Sequence, residues 1–264
     1  MNNIHTKTSL TSPLKHSLVG FGIASKRFWQ LSLTVCLTLL VACEASTVDV
    51  TDASLGTPST EAAMVSTLAN PGPIVFTKHI AAHWAVPLSG LLNLDHPLSQ
   101  AAGIEDREES IDIYVYSLVH PEYGTFIVDS GVAESFADSS KNNEASWIVE
   151  SFMNMSALDV VKSTKELKQE LGSIDGVLLT HIHTDHIMGL PDLSNTRVYG
   201  GPNDAELSAF THAFTQGTTD RLLRNVNVLE QWQFSDTGII DIFGDGSLWA
   251  IHTPGHTPGA TAYL

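Results

Sequence analysis

The stretch LLTHIHTDHIMGLPD, residues 178–192, sets three imidazoles and a carboxylate, His181, His183, Asp185 and His186, within six residues at the end of an apolar run. Neutral imidazole nitrogens bind zinc at about 2.0–2.1 Å, and carboxylate oxygens do so at a similar distance. Alternation along a strand end turns His181 and His183 to one side. Both would then reach one cation, with Asp185 and His186 facing a neighbouring position. A single histidine in such a run is more often a packed core residue. Four ligand-type side chains beside an apolar strand leave too many polar groups without partners unless a cation collects them. Iron, manganese and cobalt suit a His/Asp donor set as well as zinc does.

A second stretch, LWAIHTPGHTPGATAYL at 248–264, carries His256 between two Thr-Pro pairs. A Pro/Gly-rich turn after an apolar run ends a strand and fixes the side chain at its tip, which makes His256 a further ligand candidate. His79, His83, His96 and His120 precede the 178–192 stretch and do not extend its spacing; His83 is read as either lining a pocket mouth or packing. Asp241 and Asp245, in DIFGDG, are read as turn and strand-edge residues, where Asp is favoured. No GxSxG is present to supply a serine nucleophile.

The pattern His181-x-His183-x-Asp185-His186 resembles the signature of the metallo-β-lactamase superfamily, and two flanking stretches match in order. FIVDSG (126–131) is similar to that family's first motif, and TPGHTPG (253–259) to its third. The resemblance implies an α/β fold, an αββα sandwich with one or two metals at one edge. It further implies that His181, His183 and His256 form the first zinc site, that Asp185 and His186 serve the second, and that Asp129 supports the site loop without binding metal. The implied activity is hydrolysis by a zinc-bound hydroxide, oriented by the catalytic Asp185, on a small-molecule substrate. The motifs look closest to the lactonase-like branch, which opens lactones or related esters; β-lactam, thioester and phosphotriester hydrolases share them. The family's later metal-binding aspartate and histidine have no counterpart after His256, which implies a C-terminally incomplete domain and leaves a non-catalytic zinc-binding lipoprotein, or a binding module with vestigial histidines, as rival readings.

The elements that must position these residues alternate in period. IVFTKH (74–79), IDIYVYSLVH (111–120) and GTFIVDSG (124–131) read as strands, with HPEYG as a hairpin turn. Residues 156–174 read as a helix capped at Ser156 and ended at Gly172. A strand follows at 175–183, then a strand at 196–200, a helix opened by GPNDAE, and strands at 225–232, 238–244 and 247–253, which together predict helices layered on a sheet. With the second half of a sandwich incomplete, the inner face of the sheet built by 111–129 and 176–180 is expected to lack a partner and to expose an apolar patch, so that the chain aggregates, pairs with a second copy as a homodimer or, the favoured reading, is part of a longer protein.

The 264 residues, 43% hydrophobic, suffice for one sizeable domain. The net charge of −16 argues against nucleic acid, whose binding draws on clustered Lys and Arg. Residues 1–42 carry Lys7, Lys15, Lys26 and Arg27 and no acid, and the 15-residue apolar run 28–42 leads into Cys43. That is a positive n-region and an h-region too short for a comfortable span, and LVAC (40–43) resembles a bacterial lipoprotein signal cut before a lipid-modified Cys43. An uncleaved anchor or an ordinary secretory signal has the same outline. Lipid at Cys43 implies a membrane-anchored envelope protein, with Glu44 favouring the outer membrane, facing the periplasm, and a mature chain of 222 residues at net charge −20. Cys36 leaves with such a signal, so no intramolecular disulfide forms. Residues 43–73, rich in Ser, Thr, Ala and Pro, read as a flexible tether to a domain at 74–264.

Overall fold

The computed structural model describes residues 48–70, 72–138, 144–206 and 212–264. The signal-type segment and Cys43 lie outside the described residues. In chain order the strands are β1 (Asp49–Asp52), β2 (Thr57–Pro58), β3 (Val75–Pro87), β4 (Glu108–His120), β5 (Gly124–Val128), β6 (Asp159–Val160), β7 (Gly176–Leu178), β8 (Arg197–Gly200), β9 (Val228–Gln231), β10 (Ile239–Asp241), β11 (Trp249–His252) and β12 (Thr261–Tyr263). The larger sheet has the order β1-β9-β8-β7-β5-β4-β3-β6, and the smaller the order β12-β11-β10-β2. Among the described residues no helix is long and apolar enough to cross a membrane.

The larger sheet is mixed. β5, β7, β8, β9 and β1 run parallel, whereas β3, β4, β5 and β6 pair antiparallel. Its central strands read as continuous apolar runs because both faces are covered. On one face Val177, Val198, Ile127 and Leu229 pack with helix residues Val149, Leu167, Leu222 and Leu223. On the other, Leu118, Phe126, Val128, Leu178 and Tyr199 meet Trp232, Ile240, Ile242, Phe243, Leu248 and Ala250. The molecule is thus a mixed α/β sandwich of helices, an eight-stranded sheet and a four-stranded sheet, with the short helix Glu61–Thr67 beside the turn at Gly246 on the second-sheet side.

Four expectations are corrected. The inner face of the larger sheet is not left without a partner, because β2, β10, β11 and β12 cover Leu118, Phe126, Val128 and Leu178. What stays open is a cavity of about 450 Å³ lined by Ile74, Phe76, Tyr116, Leu118, Leu248 and Tyr263, where Phe76 is 61% exposed. The segment read as a tether is built into both sheets: Val48 is buried in the helix-side core, β1 pairs with β9 and β2 with β10. Backbone pairing at a sheet edge satisfies the chain whatever its side chains are, so a polar Ser/Thr composition did not betray strands.

The helix expected from Ser156 begins at Thr164, capped by Ser163 in a reciprocal box with Glu166. It ends as expected at Gly172, whose φ of 81° suits a residue without a side chain. β3 runs on from the expected stop at His79 to Pro87, carried past a bulge between Ile80 and Ala82 by its pairing with β4.

Deletion of residues 48–58 tests the corrected tether. Val48 alone contributes about 1.5–3 kcal/mol by burial, so the urea-unfolding free energy of the deletion variant should fall by at least about 2 kcal/mol, whereas removal of a free tether would leave it unchanged.

Candidate metal centre

Parallel neighbours β5 and β7 end at the same edge of the larger sheet, and both exits turn there. The exit of β5 is Asp129, a non-glycine residue at φ 56° in the left-handed region. That backbone costs roughly 1–2 kcal/mol, and what holds it is visible. The Asp129 N–H donates to the Leu178 carbonyl at 3.0 Å. The Asp129 carboxylate accepts the Thr180 N–H at 2.8 Å and the Thr180 hydroxyl at 3.0 Å, and its other oxygen lies 2.9 Å from His186 Nδ1. Ser130 follows, donating from N and Oγ to the His186 carbonyl and accepting the Gly189 N–H. A methyl at Gly189 would fall 1.8 Å from the Ser130 carbonyl oxygen, so only glycine lets the two exits touch.

Strand alternation does not bring His181 and His183 together. β7 stops at Leu178, three residues before His181, and His183 already caps the short helix Thr184–Ile187. The convergence belongs to the loop, which is held by Leu179 N–H to the Tyr199 carbonyl, Thr180 N–H to Asp129 and Ile182 N–H to Asp204. From the other sheet, β11 and β12 present the loop Thr253–Ala260, closed by a Thr253 N–H to Ala260 carbonyl bond, and the Thr261 N–H crosses to the Thr180 carbonyl at 2.8 Å.

The result gathers His181, His183 and His256. One ring nitrogen from each lies within 4.8 Å of the other two, and His183 Nδ1 is 3.0 Å from His256 Nε2. His181 is 8% exposed, and burial first, then the neighbouring imidazoles of His186, His183 and His256, push its pKa down to about 3. It is therefore neutral at any ordinary pH, the form that binds metal. Thr180 fixes its tautomer. The single hydroxyl proton of Thr180 goes to Asp129, so Thr180 Oγ1 accepts the His181 Nδ1–H at 3.1 Å and Nε2 keeps the lone pair. That Nε2 is buried and has no hydrogen-bond partner. A buried acceptor left alone is unfavourable by about 1–3 kcal/mol, and a divalent cation shared with His183 and His256 removes the deficit. Three nitrogen donors with a further position open is the donor count of a catalytic zinc site.

Asp185 and His186 stand beside this trio. The His186 ring centroid is 3.9 Å from that of His181, and His186 Nε2 is 3.3 Å from the Asp185 carboxylate. Burial opposes charge on His186, but the carboxylates of Asp129 and Asp185 on its two sides outweigh burial and raise its pKa to about 10. The Asp185 carboxyl is likewise penalised by burial yet ends below its ordinary value through His186. Two facing acceptors, Asp185 and an imidazole nitrogen, are stable only with a proton or a cation between them.

The other upstream candidates have local duties. His79 bonds Ser117, His83 bonds Asp112 at the protein surface, and His96 caps the helix Pro97–Ala101. His120, 3% exposed, accepts the N–H groups of Glu122 and Tyr123 and donates to Asp245, while Asp241 accepts the N–H groups of Gly244 and Gly246. The sequence did not mark Thr180, because a threonine before a histidine has no distinguishing pattern; nor did it mark Asp204, which lies in a segment read as a helix start.

With the geometry in view, residues 111–263 match the sequence model of the Metallo-beta-lactamase superfamily. A comparison with curated proteins found no match. Among solved structures, the chain is similar to a quorum-quenching N-acyl homoserine lactone lactonase at 16% identity and a TM-score of 0.45, covering 71% of this chain and 66% of that one. A variant of B. thuringiensis AiiA with N-decanoyl-L-homoserine at its active site is 16% identical with a TM-score of 0.46, covering 71% and 68%. A dizinc quorum-quenching lactonase in complex with a product is 14% identical with a TM-score of 0.41, covering 74% and 68%. The chain thus spans about two thirds of the length of these structures.

Thr180→Val removes the hydroxyl that fixes the His181 tautomer while keeping the shape. Its zinc dissociation constant, read by chelator competition, should rise about 10–100-fold, and Thr180→Ser should restore most of the affinity.

Proposed function

The chain belongs to the metallo-beta-lactamase superfamily, and on that premise we propose that it is a zinc-dependent hydrolase acting on a lactone or related ester. The observation that carries the reading is the buried, unpartnered Nε2 of His181 set beside His183 and His256. What a divalent cation supplies there is Lewis acidity: water activation near neutral pH and polarisation of a carbonyl.

The chain's own residues do the rest. Thr180 and Asp129 hold His181 in the ligand tautomer. Asp185, next to His186 at the rim of the trio, orients the attacking water and accepts its proton. His186 keeps Nδ1 on Asp129 and turns Nε2 to Asp185, so a second cation held by Asp185 and His186 would take the place of the proton between them. The acyl–oxygen bond of the ester breaks as the water oxygen bonds to the carbonyl carbon, and the proton held by Asp185 passes to the leaving alkoxide. The preference for lactones and esters over β-lactams, thioesters or phosphotriesters rests on the motif resemblance of TPGHTPG and HIHTDHIMGL.

Two measurements test this. Zinc content and turnover of a panel of lactones and aryl esters should both be lost in His183→Ala; bound zinc with no turnover of any ester class would leave a passive zinc binder. Asp185→Asn should retain zinc at the three histidines while lowering kcat by about 10²–10⁴-fold.

The LVAC stretch supports lipid attachment at Cys43 and an envelope location, outer membrane facing the periplasm. Growth with a labelled fatty acid should mark the full chain and leave Cys43→Ala unmarked; equal labelling of both would refute the anchor.

A further inference from the structure

The three histidines come from two separate loops, so something has to set the distance between them. His181 and His183 flank Ile182 on the loop leaving β7, and His256 lies three residues before Gly259 on the loop between β11 and β12. One side chain touches both loops. Asp204, only 1% exposed, accepts the Gly259 N–H on Oδ1 at 2.7 Å and the Ile182 N–H on Oδ2 at 3.3 Å. It arrives from a third direction, on the turn that leaves β8.

The backbone is shaped to let it in. A methyl group on Gly201 would fall 1.6 Å from the Gly259 carbonyl oxygen, and one on Gly259 would fall 2.7 Å from the Asp204 carboxyl carbon. Two glycines thus bring the β8 exit and the His256 loop into backbone contact, with the carboxylate sealed beneath them. A buried carboxylate that accepts two backbone N–H groups is a strong, directional tie, and both of its partners lie within three residues of a metal-ligand candidate.

Resting on the metal reading above, we infer that Asp204 is a positioning residue that sets His256 against His181 and His183 and so determines zinc affinity without touching the ion. Its removal leaves two buried donors without an acceptor and frees the two loops to separate, and a ligand displaced by a few tenths of an ångström holds a shared cation less tightly. The Thr261 N–H to Thr180 carbonyl bond joins the same two loops independently, so the sandwich keeps a tie when Asp204 is altered.

The test measures zinc affinity of the full chain by chelator competition and the visible absorption of its cobalt(II) form. Asp204→Asn keeps the volume but turns an amide N–H toward one of the two donors, and should weaken zinc binding about tenfold; Asp204→Ala should weaken it toward a hundredfold. Gly201→Ala, which displaces the His256 loop without altering the carboxylate, should show the same loss and the same change in the cobalt spectrum. Glu230→Gln is the control: Glu230 is also buried and accepts the Ser54 N–H at 2.6 Å at the β1 edge, so it should lower the melting temperature and leave zinc affinity and the cobalt spectrum unchanged. Wild-type affinity in Asp204→Asn and Gly201→Ala, or an equal loss in Glu230→Gln, overturns the positioning role while the metal reading stands. Failure of the wild-type chain to take up zinc overturns the metal reading and this inference with it.

Discussion

The structure depends on one carboxylate in a left-handed turn. Asp129 lies at φ 56° because its side chain must reach back to Thr180 and His186, and the bonds it accepts there offset the backbone strain. Hydrogen bonds to a charged acceptor contribute about 1.5–3 kcal/mol each, so even two of them exceed the roughly 1–2 kcal/mol of the turn. The same bonds decide which nitrogen of His181 carries the lone pair and hold His186 in place, which makes a local backbone feature the origin of the site's chemistry.

That turn sits where it does because β5 and β7 are parallel neighbours and so deliver their exits to one edge. The third ligand candidate comes from the opposite sheet, which places the site on a seam. Thr261 bonds Thr180 across the seam, and the Tyr263 hydroxyl donates to the Leu179 carbonyl while accepting the Trp232 indole N–H. Burial lifts the Tyr263 phenol far above its ordinary pKa, so it stays a donor. At the other end of β5, His120 bridges to Asp245 beneath Tyr123 and Phe243. The sandwich is therefore stapled at both ends of its central strands, with the apolar contacts of Phe126, Leu178, Trp232 and Ile240 between. Each staple is a hydrogen bond from a group on or beside one sheet to a group on or beside the other, so the geometry of the metal centre and the closure of the fold are one constraint.

Legibility in the sequence followed the range of the interaction. The hairpin at HPEYG, the helix end at Gly172 and the turns at Asp241 and Asp245 are short-range and stand where their local residues place them. β1 and β2 have the composition of a tether because a polar edge strand acquires its identity from β9 and β10, far along the chain. Ser156 offers a cap by residue type alone, whereas Ser163, with Glu166 three residues on, carries the stronger local signal and is the cap. His83, whose sequence context allows either a pocket mouth or packing, instead bonds Asp112, its neighbour across β3 and β4, at the surface.

The sequence by itself determined the candidates: His181, His183, Asp185 and His186 stand within six residues at the end of an apolar run, and His256 in a Pro/Gly-rich turn after another, and ligand type and close spacing are local properties. Only the tertiary structure decided that His181, His183 and His256 meet while His79, His83, His96 and His120 do not, that Thr180 rather than strand alternation aims His181, and that Asp204 joins the two ligand loops. The reason is that hydrogen bonds between segments 51 to 73 residues apart leave no periodic trace in either segment. Their partners are chosen by which strand ends the sheet brings to the same edge.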